Sequence, residues 1–267
     1  MDVVKRPRRI DRLEFPSLAL FPELSTDELR EVKRLGRNIT IVTYDSRKYI
    51  LKKHVSSHDD LLFRREIEAY ITHEFSSSHI VEFVGYTTDD EDKVEAMVLA
   101  FSVNYDIRWY LQKYQPDNWK LKSKWVSQIA HGLMAIHEAG ITHGDLRCEN
   151  VVLDEKLDAR IIDIVQGQGF MDGWCPWKYP ELESIYQPSW DMYSLGASIW
   201  EILTNGETPP EHQALQFEFD VPDNELALLL KAIAERCLSD YPKERPTAEG
   251  IYKELGGKDL CGCKVSV

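Results

Sequence analysis

Residues His143 to Asn150 read HGDLRCEN, and Asp163 stands thirteen positions beyond Asn150, at the end of an apolar run. No other stretch restricts the chain as much. The apolar runs 151–153 and 160–162 flank the turn-like 154–158, a pattern that predicts two short paired strands. Such a hairpin returns Asp163 to the neighbourhood of Asn150. A carboxylate and an amide converging in this way are suitable oxygen ligands for Mg²⁺. Asp145 is then placed to accept a proton from a hydroxyl nucleophile, and Arg147 to neutralise a transferring phosphoryl group. The same residue types also serve Asx turns and caps on a loop, and the octapeptide alone leaves both readings open.

The surrounding pattern divides the chain. Runs 29–35, 39–44 and 48–53 are short and rich in β-branched or aromatic residues, and Gly36-Arg37-Asn38 and Asp45-Ser46-Arg47 punctuate them. They predict a three-strand antiparallel meander. A helix is expected over about 59–75, with Leu62, Glu66, Ala69 and Tyr70 near one face, followed by strands at 80–86 and 94–101. Beyond about residue 103 the periodicity becomes helical, at 106–114, 119–139 (ended by Gly140), 190–203, 222–237 and 247–255. Residues 164–188 carry Gly, Pro and Trp breakers and read as a long loop. We therefore expect a leader over 1–28, a sheet-rich lobe over 29–102, a helical lobe over 103–257 and a tail over 258–267. In the leader, Phe15, Leu18 and Phe21 are packing residues, and Ser25 with Glu28 resembles a capping box.

Net charge is −13, against the basic footprint of a general nucleic-acid binder; a local basic cleft on an acidic protein remains compatible with a phosphorylated ligand. There is no run of about 18 apolar residues, so no membrane span is expected, and the amino terminus lacks the apolar core of a signal peptide. The five cysteines are odd in number and scattered, which fits a reducing compartment; the expected location is cytoplasmic, with the nucleus as the other option. Cys261 and Cys263 read as free thiols of a tail, and Lys5, Arg6, Arg8 and Arg9 as a solvated arm. Trp109, Trp119, Trp125 and Trp190 read as helix-packing residues.

Several ordered features resemble the eukaryotic protein kinase family, and more closely the compact fungal kinase-like proteins with an HGDL-type catalytic loop. The resemblance runs from about Leu29 to Leu255. Tyr49-Ile50-Leu51-Lys52 resembles the strand carrying the nucleotide-binding lysine, and Arg65-Glu66-Ile67-Glu68 the helix whose glutamate pairs with it, Glu68 being the alternative register. Leu99-Ala100-Phe101-Ser102 resembles the hinge, with Leu99 at the gatekeeper position. His143-Gly144-Asp145 resembles the catalytic triplet, and Asp163-Ile164-Val165 the metal-binding triplet. Tyr179-Pro180-Glu181, Asp191 to Gly196 and Arg245-Pro246 resemble later structural motifs. The resemblance implies an α+β, bilobal fold: a small antiparallel sheet lobe with one helix, and a larger, mainly helical lobe. It implies that Lys52 holds the ATP phosphates, Glu66 fixes Lys52, Asp145 serves as base and Arg147 supplies charge. Asn150 and Asp163 would hold Mg²⁺, while Gly36, Leu99 and Phe101 would line the nucleotide. Glu181 would pair with Arg245, and Asp191 would support the catalytic loop.

The pattern also breaks. A loop covering phosphates needs glycines for close backbone approach, yet here only Gly36 remains, and Asn38 and Ile41 carry side chains that hinder it. Val165 stands where glycine allows a flip, and is stiffer. Gly144 replaces the arginine that receives an activation-loop phosphate, and residues 163–181 contain neither Ser nor Thr; the two absences agree. Arg147 replaces a frequent lysine and is not its equivalent. The expected function is transfer of the ATP γ-phosphoryl group to a protein hydroxyl, Ser/Thr or Tyr unresolved. The alternative is a pseudokinase scaffold or regulatory binding module with weak or no turnover. Oligomeric state is not legible.

Overall fold

The computed structural model describes residues 10–11, 15–54, 60–73, 75–164, 187–209 and 217–256. The basic arm, Cys175, Val165, the Tyr179–Glu181 motif and the tail cysteines lie outside them. The chain divides into two compact units, Met1–Glu74 with Val81–Phe101, and Phe75–Ile80 with Ser102–Val267. The fold is α+β and kinase-like: a small antiparallel sheet with one helix in the first unit, and a larger, mainly helical second unit.

In the first unit the strands are β1 (Ile10–Asp11), β2 (Arg30–Arg34), β3 (Ile39–Tyr44), β4 (Arg47–Lys53), β5 (Phe83–Thr88) and β6 (Lys93–Ala100), with helix α1 (Asp60–Thr72) between β4 and β5. Their order is β1-β6-β4-β3-β2, with β5 also on β6. Successive side chains on a strand point to opposite faces, so the register assigns each residue a side. Thr40 opposes Leu51, and Val42 opposes Tyr49. On that face Leu24, Val42, Leu51, Ala96 and Val98 form a buried cluster. The other face carries the cross-strand row Ile41, Ile50 and Leu99, with Ile39, Lys52 and Met97 in the next row. On α1, Phe63, Ile67, Ala69, Tyr70 and Ile71 are buried; Tyr70 stacks on Phe83 with centroids 5.8 Å apart.

Before β2 the chain forms short 3-10 turns at Pro16–Leu20 and Thr26–Glu28. Phe15 and Leu18 are buried, and Phe21 meets the edge of Phe83 at 5.0 Å. The expected capping box is absent: Ser25 is the N-cap residue of the second turn, but its side chain makes no capping bond. A three-residue 3-10 turn closes by i→i+3 bonds and leaves few donors to cap.

The second unit contains α2 (Ile107–Tyr114), α3 (Trp119–Glu138), the β7–β8 hairpin (Val151–Leu153, Ala159–Ile161), α4 (Pro188–Leu203), α5 (Glu225–Cys237) and α6 (Ala248–Glu254). Its helices begin at side-chain caps. Asp106 accepts from Trp109 N at 2.8 Å, Asn118 from Leu121 N at 3.0 Å and Thr247 from Gly250 N at 3.1 Å. Asn224 caps α5 in the same way. Each cap satisfies a donor that would otherwise lack a partner. Helix α4 is buried almost all round, as its apolar sequence requires. Gly132 lets α3 lie against β8: a Cβ there would come within 2.7 Å of the Ile161 side chain and 3.0 Å of His79 O.

One strand boundary also changes, and the tryptophans pack to different depths. The strand expected from residue 80 begins at Phe83, because residues 75–80 belong to the helical unit. There Ile161 N donates to His79 O at 2.8 Å, and the His79 ring contacts Ala159 O at 3.0 Å. Burial holds the His79 pKa down to about 4. Of the tryptophans, Trp125 and Trp190 are buried, whereas Trp109 is only half-buried and packs against Tyr105 (4.5 Å) and Tyr114 (6.0 Å).

Candidate active site

Lys52 lies in β4, on the sheet face opposite Leu51, and Glu66 lies on α1. Lys52 Nζ donates to Glu66 Oε2 at 2.6 Å, with the side chains 13% and 2% exposed. Glu68 is exposed, so the helix register selects Glu66. Leu99 is buried and pairs across strands with Ile50. Phe101, just past β6, has Lys48 Nζ 5.7 Å from its ring centroid.

Gly36 sits in the four-residue turn between β2 and β3, and a Cβ added there would meet nothing within 4 Å. This turn closes on itself. Leu35 N and Gly36 N both donate to Ile39 O, at 2.9 and 3.2 Å, and Asn38 O accepts from Lys53 N at 2.7 Å. Ile41 is buried within β3, on the sheet face that also carries Lys52, and Asn38 belongs to the turn itself.

In the helical unit the loop after α3 is fixed by backbone and side-chain bonds. Asp191 of α4 accepts from His143 N (2.8 Å) and Gly144 N (3.0 Å), and its carboxylate also meets His137 Nε2 at 2.9 Å. Asp191 thus supports the loop backbone. Asp145 N donates to His143 Nδ1 at 3.1 Å, so the proton of the neutral ring is on Nε2, which donates to Ile162 O at 2.8 Å. Burial holds the His143 pKa below its ordinary value. Gly144 has φ +87°, a conformation that costs L side chains about 1–3 kcal/mol.

Asn150 Nδ2 donates to Asp145 O at 2.7 Å and to Asp145 Oδ2 at 3.0 Å. Asn150 O accepts from Ile162 N at 3.0 Å, so the β7–β8 hairpin brings Asp163 beside the loop, as the spacing predicted. Asp163 itself has φ +59°, and Ile164 is fully buried. Burial raises the Asp145 pKa to about 6; Arg147 and Asn150 oppose the rise, and Asp163 and Glu149 add to it.

Arg147 Nε lies 3.6 Å from Asp145 Oδ2, and Arg147 Nη1 lies 2.7 Å from Glu149 Oε2. Glu149 also meets Arg108 Nη1 at 3.2 Å, and Arg108 Nε pairs with the buried Glu201. Alternating charges therefore run from Asp145 to the interior of α4. Sequence reasoning missed Arg108 and Glu201. They lie 93 positions apart on two helices, and no local pattern joins them.

The match to known proteins is broad. The protein kinase domain family matches residues 36–255. The chain belongs to that family. Mouse inactive tyrosine-protein kinase 7 is 26% identical over 94% of this chain and 27% of its own length. A probable serine/threonine-protein kinase of Dictyostelium discoideum is 27% identical over 79% of this chain and 39% of its own. The serine/threonine/tyrosine-protein kinase HT1 of Arabidopsis thaliana is 25% identical over 68% and 52%. The chain thus spans between about a quarter and half of these relatives.

Proposed function

We propose that this chain is a protein kinase-fold regulatory binding module with weak or no ATP turnover. The observation that carries this reading is the β2–β3 turn. A phosphate cradle needs backbone N–H groups aimed outward at the anion. Here the N–H groups of Leu35 and Gly36 are both directed at Ile39 O. One glycine remains, and the turn is held by its own hydrogen bonds. The name of the mouse relative, inactive tyrosine-protein kinase 7, agrees with this direction.

The second reading, ATP-dependent phosphoryl transfer to a protein hydroxyl, is favoured by a different observation. Asp145 keeps a carboxyl with a pKa near 6, close to the range a general base needs at neutral pH. Asn150 and Asp163 supply amide and carboxylate oxygens, a donor set that suits Mg²⁺, and Asp163 and Glu149 add to the rise in the Asp145 pKa that burial mainly causes. In this reading Asn150 and Asp163 would hold the metal, Lys52 an ATP phosphate, and Leu99 and Phe101 the nucleotide ring. Arg147 would place positive charge near the transferring group. Bound Mg²⁺ would supply electrostatic stabilisation of phosphate charge.

Thermal melting with and without Mg²⁺–ATP, beside a phosphotransfer assay on wild type and Asp145→Asn, separates the two. The module reading expects a small melting shift and no transfer above the variant. Transfer by wild type that Asp145→Asn abolishes would replace it with the second reading.

A further inference from the structure

On the sheet face away from Lys52 lies a concavity of about 190 Å³, lined by Thr26, Leu29, Glu31, Arg34, Arg37, Asn38, Thr40, Val42, Leu51 and Lys53. We propose that this groove docks an acidic segment of a partner protein, with one aliphatic side chain seated between flanking carboxylates. The inference is independent of whether the chain turns over ATP.

The register makes it a separate surface. Thr40, Val42, Leu51 and Lys53 alternate along β3 and β4 with Ile39, Ile41, Ile50 and Lys52, so the groove and the Lys52–Glu66 pair occupy opposite faces. Its charge points to the partner. Arg34, Arg37 and Lys53 stand against a single lining acid, Glu31, on a chain of net charge −13. Arg34 reaches Glu31 only at 3.9 Å and is 69% exposed, and Lys53 meets Glu95 at 3.1 Å. Arg37, exposed in the β2–β3 turn, has no ion pair among the described residues. At physiological salt the screening length is about 8 Å. Glu95 offsets Lys53, so a ligand in the groove responds mainly to Arg34 and Arg37 rather than to the distant acidic surface.

Size and floor narrow the choice. The volume falls below the roughly 300–1,000 Å³ of small-molecule sites and suits one anchoring side chain of a larger partner. Half-buried Leu29 and the buried Val42 and Leu51 form an apolar floor. With Glu31 on the wall, this suits a leucine between carboxylates better than a phosphate dianion.

The probe is a short fluorescein-labelled peptide, one leucine flanked on both sides by glutamates, titrated by anisotropy against the whole chain without nucleotide. Saturable binding is expected, weakened about tenfold in Arg34→Gln/Arg37→Gln and again by raised salt. The same peptide with lysines for glutamates should not bind. Both substituted residues are exposed, and an unchanged melting temperature confirms that the variant folds; Lys53→Gln provides a second variant on the far wall. Absence of binding, binding indifferent to both variants, or displacement by inorganic phosphate as readily as by unlabelled peptide would each overturn the proposal.

Discussion

The Lys52–Glu66 pair and the loop from His143 to Asn150 both keep the polar residues expected of them, but they are held in different ways. The loop is over-determined. Asp191 anchors two backbone N–H groups, His143 bridges to Ile162, and Asn150 ties Asp145 to the β7–β8 hairpin. Lys52 and Glu66 meet through charged side-chain tips, in a short ion pair in largely buried surroundings. The difference limits what a retained residue means. Asp191, Asn150 and His143 have structural work that persists without chemistry. Asp145 is the exception, since burial disfavours its charged form and its retention is not explained by stability.

The largest effect is expected at the ion pair. Removing one member of a buried pair takes the close opposite charge from the other and costs about 3–5 kcal/mol. Lys52→Met should therefore lower stability in urea by that order, and Glu66→Gln in the same background should recover much of the loss. A cost below about 1 kcal/mol would show that the pair is well solvated, and the contrast with the loop would disappear.

Asp145→Asn tests the opposite prediction, a stabilisation. The folded pKa, about 6, lies above the ordinary 3.8, so the fold binds the proton more tightly than the unfolded chain. Wild type then loses stability as pH rises from about 4 to 6, and the Asn variant does not. Relative to wild type, the variant should gain about 2–3 kcal/mol between pH 4 and pH 7. A flat difference across that window would mean that Asp145 is as comfortable ionised as its neighbours, and would remove its special standing.

What the sequence revealed followed the range of its signals. Strands β2 to β4 and the helices were legible because alternation and 3.6-residue periodicity are local. The octapeptide and Asp163 were legible because a short hairpin fixes their return. The docking of residues 75–80 on β8 was not, since it depends on His79 meeting Ala159 and Ile161 across some 80 positions. Nor was the Arg108–Glu201 link. The self-closed β2–β3 turn was partly legible: its lost glycines showed in the sequence, but the direction of its N–H groups did not.

That turn gives the smallest expected effect and the sharpest use of the comparison. If side-chain bulk limits phosphate approach, restoring glycine should help. If the closed hydrogen bonding limits it, glycine should change little, because Leu35 N and Gly36 N would still donate to Ile39 O. Asn38→Gly is therefore expected to cost about 0.5–1 kcal/mol from added chain freedom and to leave the melting shift with Mg²⁺–ATP as it was. A clear increase in that shift would mean that the turn opens once the side chain is gone. The sheet unit would then be a phosphate site blocked by a single residue, which favours the second reading, in which Asp145 acts.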